Sequence, residues 1–228
     1  WNDGKDVDTR VGEIRRDIGI LKYSDDGTKL LFATYIGGSH NEDPHSMVVN
    51  SKQELLVFGN TGSTDFPTTI SAYDTSFNGL YDMYIAHLSA DGTRMLNCTY
   101  IGGSGRDGLN GQQVLSGGFA NNSELGFNYG DLYRGEIIVD LEDNVYVTSV
   151  TRSDNFPIGK TAYQKARGGG HDAVVFKMNK DLSDLTAGTY FGKSNNEATY
   201  GIGLDTKGNV FICGGTSSKG LGFPKTAF

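Results

Sequence analysis

"ATYIGGS" (Ala33–Ser39) returns as "CTYIGGS" (Cys98–Ser104) and, altered, as "GTYFGKS" (Gly188–Ser194). A phrase written three times marks either three copies of a binding element or one strand of a repeated structural unit, and three further landmarks decide between these. An Asp opens an apolar run in "DIGILKY" from Asp17, "DMYIAHL" from Asp82 and "DAVVFKM" from Asp172. A β-branched and aromatic run closes on Thr in "ELLVFGNT" (Glu54–Thr61), "NVYVTSVT" (Asn144–Thr151) and "NVFICGGT" (Asn209–Thr216). Phe-Pro recurs as Phe66-Pro67, Phe156-Pro157 and Phe223-Pro224, taking three of the four prolines. Asp17 to Asp82 and Tyr35 to Tyr100 are both 65 residues apart, whereas Asp82 to Asp172, Tyr100 to Tyr190, Thr61 to Thr151 and Phe66 to Phe156 are all 90 apart. The unit is 65 residues, and its second copy carries 25 more between Ile101 and Asp140. The third copy has two extra residues before Phe223.

Each unit holds four short runs with strand periodicity. In the first full copy they are 46–50, 54–59, 82–88 and 95–101. "SKQE", "LEDN" and "TKGN" join the first run to the second. "SDDGTK" and "SADGTR" join the third to the fourth, and Asp-Gly and Gly-Asn pairs favour tight hairpins. No segment has the 3.6-residue period of a helix. Four antiparallel strands per repeat predict an all-β chain of β-propeller blades, a solenoid or sandwich being the lesser alternatives. The expected order is two outer strands (15–36), a full blade (45–101), an insertion-bearing loop (102–135), a second full blade (136–191) and two inner strands (200–228). That is about three blades, a segment of a larger propeller, unless the ends pair to place 201–214 beside 17–35 in one composite blade.

The phrases "TYIGGSGRD", "IIVDLEDNVYVTSVTRSDNFP", "TAYQ" and "GGGHDAVVFKMN" resemble the SBBP β-propeller repeat family over nearly the whole chain beyond the first dozen residues. The 25-residue insertion, "YFGKS" and "SSKGLGFP" depart from the family's pattern. The resemblance implies a secreted or cell-surface bacterial protein, with other domains of the same polypeptide as neighbours. It carries over no catalytic residues.

The bulk composition agrees with a folded chain of this kind. The net charge is −7, which argues against nucleic acid and anionic membrane surfaces. No apolar stretch approaches the roughly 18 residues of a membrane helix, so no membrane insertion by this segment is expected. The chain opens on Trp1, which reads as a mature or excised piece of something longer. Cys98 and Cys213 carry no metal or redox spacing and are expected to be buried thiols.

Candidate sites follow from blade topology, which puts the short hairpins on one face and the long loops on the other. Function gathers on loops held by a rigid frame, and the most individual loop is "SGRDGLNGQQVLSGGFANNSELGFNYGDLYRGE" (Ser104–Glu136). Its Arg106, Asp107, Asn110, Gln112, Asn128, Tyr129, Asp131, Tyr133 and Arg134 mix aromatics with groups that hydrogen-bond a sugar or anchor a surface protein partner. The alternative is that the segment only covers a blade edge. Tyr35, Tyr100, Tyr190 and the Phe-Pro pairs are read as framework, the Phe filling a gap between blades and the Pro stiffening the loop. His40, His45, His87 and His171 have no metal-ligand spacing. His40 and His45 are placed on a long loop with Glu42 and Asp43, and His87 on a solvated face. The Asp-rich turns raise calcium as an alternative to no cofactor, but they lack the alternating ligands of a calcium loop. The function expected is a non-catalytic extracellular scaffold or binding module. A propeller glycoside hydrolase or lyase with acids on the long-loop face is the alternative.

Overall fold

The computed structural model describes residues 16–110 and 134–221, and the backbone of 112–113 and 119–120. Described elements are all strands, and every sheet is antiparallel. They are β1 (Ile18–Tyr23), β2 (Leu30–Ile36), β3 (Glu42–Val49), β4 (Leu55–Thr61), β5 (Asp82–Leu88), β6 (Met95–Ile101), β7 (Gln112–Gln113), β8 (Phe119–Ala120), β9 (Glu136–Val139), β10 (Val145–Thr151), β11 (Asp172–Met178), β12 (Leu185–Phe191), β13 (Glu197–Leu204) and β14 (Val210–Thr216).

Sequence order is spatial order. β3-β4-β5-β6 and β9-β10-β11-β12 are four-stranded meanders, β1-β2 and β13-β14 are two-stranded, and β7-β8 is a small ribbon inside the insertion. The register repeats as the sequence does: Thr61 faces Asp82 in one sheet, and Thr151 faces Asp172 in the next. The three TY phrases lie on β2, β6 and β12, each the last strand of its sheet.

Middle strands are rich in β-branched and aromatic residues because both their faces are covered. All seven residues of β5 and of β10 are buried. One apolar cluster joins Leu56, Phe58, Met83, Ile85 and Ile101 of the first four-stranded sheet to Ile137, Val147, Phe156 and Phe176 of the second. Another joins Ile18, Ile20 and Ile36 of β1-β2 to Val57, Phe66, Tyr84 and Tyr100. A third sets Val150 of β10 against Ala198 and Tyr200 of β13. The sheets therefore stack face to face in chain order. Phe66 and Phe156, each 3% exposed, sit inside the two larger clusters. Phe223 and Pro224 lie outside the described residues.

Three expectations are corrected. β3 begins at Glu42, so Glu42, Asp43 and His45 belong to a strand and not to a loop; the register slips between Pro44 and Ser46, and Pro44 is tolerated because β3 is an edge strand. His87 is not solvated: it is 6% exposed and meets Glu54 Oε2 at 3.0 Å. Cys98 is buried but Cys213 is exposed. Among the described residues β1-β2 and β13-β14 are separate two-stranded sheets, without the composite blade that pairing of the ends would make.

Candidate functional site

The short hairpins β1-β2, β3-β4, β5-β6, β9-β10, β11-β12 and β13-β14 lie at one end of the stacked sheets. Their polar residues serve the turns. Asn50, Asp140 and Asp205 each accept two backbone N–H groups of their own turn through Oδ1. Asp26 and Asp91 accept Ser and Thr hydroxyls, which pushes both carboxyls down to about 2. These acids are occupied by turn donors. Among the described residues no group of three or more His, Cys, Asp or Glu side chains is placed to hold a metal ion.

The long loops leave from the opposite end, where an acid stands seven residues after each repeated Tyr: Glu42, Asp107 and Glu197. Glu42 Oε1 accepts the Thr61 hydroxyl at 2.7 Å and the Ser63 hydroxyl at 2.5 Å, and Oε2 accepts Gly38 N at 3.1 Å. Asp107 Oδ1 accepts the hydroxyls of Thr151 and Ser153, and Oδ2 accepts Gly103 N at 2.8 Å. Glu197 accepts the Thr216 hydroxyl and Lys193 N, both at 2.7 Å. Each acid thus ties the turn after one TY strand, Gly-Gly in two copies and Gly192-Lys193 in the third, to the Thr that ends the second strand of the following sheet, and in the first two copies to the Ser two residues on. Asp107, predicted to bind a partner, is 0% exposed and fully used as framework, so that assignment is corrected. The spacing of seven was visible in the sequence in all three copies, and it is the signal that would have found the clamp.

The repeated Asp at the start of β5 and β11 completes this corner. A Cβ added to Gly102 would lie 2.4 Å from Asp82 Oδ1 and 2.9 Å from Asp107 Oδ2, so glycine is required and the two carboxyls nearly meet across it. Gly192 is held in the same way between Asp172 and Glu197. Burial raises Asp82 to about 7, with Asp107 and Asp74 adding repulsion, and burial raises Asp107 to about 6. In the second sheet Gln164 Nε2 donates to Asp172 at 2.9 Å. Its counterpart 90 residues earlier is Asp74, which has no amide to offer, and Asp82 Oδ1 is left without a hydrogen bond.

The repeated tyrosines fasten the Phe-Pro loops to this frame. Tyr100 Oη accepts Phe66 N at 2.9 Å and donates to the Ser63 carbonyl at 2.7 Å; Tyr190 Oη does the same for Phe156 N and the Ser153 carbonyl, both at 2.9 Å. Tyr100 and Tyr190 are 1% exposed, whereas Tyr35, with no such loop against it among the described residues, is 61% exposed.

A cationic cluster on the long-loop end does not follow the repeat. Arg106, Arg152 and Arg167 stand where the first copy has Asn41, Gly62 and Phe77. Arg152 N donates to the Arg106 carbonyl, and Arg152 Nη2 lies 3.1 Å from His171 Nδ1. Burial and then the charges of Arg106 and Arg167 hold the Arg152 guanidinium below its usual range. Burial, and then the charges of Arg152 and Arg167, push His171 down to about 3, so its ring is neutral and accepts from Arg152. Arg167 pairs with Asp154 at 2.8 Å. Sequence reasoning found Arg106 but not Arg152 or Arg167, because only the fold brings the three loops together. Arg134, also predicted to bind, lies over the Tyr200 ring at 5.1 Å and braces β13. Asn128, Tyr129, Asp131 and Tyr133 lie outside the described residues.

No protein-family model matches this chain, and no curated protein matches it.

Proposed function

We propose that the stacked sheets are blades of a β-propeller and that the chain is a non-catalytic binding module of a secreted or surface protein. Two whole blades and two half-blades present the long loops at one end. The resemblance of the repeated phrases to SBBP repeats supports both the ring architecture and the extracellular setting.

One observation carries the functional reading. At the long-loop end the acids repeat and the bases do not. Glu42, Asp107 and Glu197 are buried clamps tied to the frame in every copy, which is how architecture behaves. Arg106, Arg152 and Arg167 occur together once, and Arg106 stands four residues before Asn110 in the segment that leads into the insertion. A half-buried guanidinium among other guanidiniums favours a carboxylate-bearing ligand, since a planar fork binds a carboxylate bidentately. The partner surface proposed is therefore an acidic protein segment or an acidic glycan. The repeated carboxyls weigh against a glycosidase, because Asp82 and Asp107 are both fully buried and recur as Asp172 and Glu197.

The test compares the intact chain with Arg152→Ala and with residues 111–133 replaced by a short Gly-Ser linker, which leaves Asp107 in place. Binding is read on an array of neutral and acidic glycans and by capture of surface proteins. Loss of acidic ligands in both variants supports the reading, and unchanged binding in both refutes it.

A further inference from the structure

Beside the acid clamps stands a second set of residues, joined through the main chain in the same way at every junction between sheets. Gly62 N donates to the Asn41 carbonyl, Arg152 N to the Arg106 carbonyl and Ser217 N to the Asn196 carbonyl, each at 2.9 Å. Thr61 faces Asp82 and Thr151 faces Asp172, so the next residues along set Gly62 beside Tyr81 and Arg152 beside His171. Tyr81 bridges to Arg106 in turn, and His171 to Asn196. These links make one unbroken row across three sheets, from Asn41 to Ser217, with Arg106 and Arg152 at its middle.

Extended chain turns successive side chains to opposite sides. Thr61, Thr151 and Thr216 turn their hydroxyls to the acids, so Gly62, Arg152 and Ser217 turn away from them. Asp107 and Glu197 are buried in the clamps, so Arg106 and Asn196, one residue earlier, turn away as well. The main-chain links are constant, but the side chains they carry are not: Asn41, Arg106 and Asn196 share one position of the repeat, and Gly62, Arg152 and Ser217 another. The row holds amides toward both ends and a Tyr81 ring lying against Gly62, where an added Cβ would come within 3.2 Å of it. No member of the row has an aliphatic side chain, and Leu80, 59% exposed, flanks the row without belonging to it. A protein segment is anchored chiefly by side chains buried in well-packed pockets. Amides, hydroxyls and guanidiniums suit the hydroxyls and carboxylate of an acidic sugar instead.

We propose that the row is a binding track for an acidic oligosaccharide. Arg152 and Arg106 hold its carboxylate at the middle. Further sugar units lie along Tyr81 and Asn41 on one side and along Asn196 and Ser217 on the other. Stacked sheets stand about 10 Å apart, so a row over three of them runs roughly 20 Å, room for several sugar units. The inference rests on the reading that the arginine cluster takes an acidic ligand; it adds the class of that ligand and the residues that contact its flanks.

Calorimetric titration of the intact chain tests this with digalacturonate, hexagalacturonate, the methyl ester of hexagalacturonate and a hexaglutamate peptide. Hexagalacturonate is expected to bind about tenfold more tightly than digalacturonate, and its uncharged ester about tenfold more weakly than the acid. Arg152→Ala is expected to weaken both galacturonates about tenfold. Asn41→Asp and Asn196→Asp keep the acceptors for Arg16 N and His171 N but set a negative charge on either flank. Each is expected to weaken hexagalacturonate about tenfold, with a smaller effect on digalacturonate, which lies on the arginines alone. Equal affinity for the two lengths, unmoved by the Asn variants, overturns the track and leaves the acidic-ligand reading standing. Hexaglutamate bound more tightly than hexagalacturonate, and weakened by Arg152→Ala, overturns the sugar in favour of a protein segment. Binding of neither acid, or binding that Arg152→Ala leaves unchanged, overturns the track and the acidic-ligand reading together.

Discussion

Replacing Asp82 by Asn should stabilise this protein at alkaline pH and not at acid pH. Asp82 is fully buried, accepts one hydrogen bond from Asn78 N at 2.7 Å, and turns its other oxygen, with no hydrogen bond of its own, toward Gly102, across which lies Asp107. Its carboxyl is raised from 3.8 to about 7, chiefly by burial. A group whose pKa is higher folded than unfolded holds its proton more tightly in the native state. Its contribution is complete below about pH 4 and is lost as pH rises through about 7. At about 1.4 kcal/mol per unit, ionising Asp82 costs the folded state up to about 4 kcal/mol by pH 8. Asn keeps the acceptor for Asn78 N, adds a donor toward Asp107 and cannot ionise. Urea unfolding followed by circular dichroism from pH 4 to pH 8 measures the effect. The wild type should lose stability over that range, and Asp82→Asn should lose distinctly less, overtaking the wild type near neutrality. Parallel pH profiles for the two chains, or a variant weaker at pH 8, would refute the buried-carboxyl argument.

Asp74→Gln copies the second sheet, where Gln164 donates to Asp172; the bond to a charged group, worth about 2 kcal/mol, less the weakened bonds Asp74 accepts from Ser76 N and Asn78 Nδ2, should leave a gain of about 1 kcal/mol near pH 7 and a smaller pH slope in urea titration. Tyr100→Phe strands Phe66 N and the Ser63 carbonyl, so thermal unfolding should report a loss of about 2 kcal/mol, and Tyr190→Phe a similar one. Gly102→Ala must push Asp82 aside and should cost several kcal/mol in urea titration, roughly the scale of a core disruption, whereas Gly203→Ala, with nothing within 4 Å of the added carbon, should stay within about 0.5 kcal/mol of wild type. His171→Gln keeps an acceptor for Arg152 and should remove the loss of stability that wild type suffers as pH falls below about 6.5, where the unfolded ring takes a proton and the folded ring, held near 3, does not; relative to wild type, urea unfolding should show the variant gaining about 2 kcal/mol on going from pH 8 to pH 5.

The strands and their order were legible because they depend on local patterns. "NVYVTSVT" alternates, is β-branched and is bounded by turn residues, and it forms β10 as read. The hairpins were legible for the same reason: Gly27 and Gly92 of the Asp-Gly turns have φ near +70°, the left-handed conformation those pairs announce. Leu182 holds the third such turn position at φ 53° without being glycine, because its side chain is fully buried in the core between sheets, and no local rule anticipates that. The clamps were half legible. Glu42 and Asp107 were noticed as polar loop residues, but their partners Thr61 and Thr151 lie on other strands, so only the fold shows the acids to be buried. The arginine cluster was the least legible, since Arg106, Arg152 and Arg167 come from three loops. His87 was misjudged because its counterparts Lys22 and Lys177 are cations, which hid the buried bond to Glu54.

The placement of the insertion has a practical corollary. Before it, Asp107, Gly108, Leu109 and Asn110 are all buried, and Gly108 N donates to the Val150 carbonyl. After it, the Arg134 carbonyl accepts the Ser149 hydroxyl and Glu136 pairs with Thr148 in β10. Both attachment points are therefore nailed to the same strand. Lengthening a loop between fixed ends costs only about 0.6 kcal/mol per doubling. Residues 111–133 can accordingly be exchanged for foreign peptides as cargo, with the acid clamp on one side and the β9-β10 ladder on the other acting as a socket.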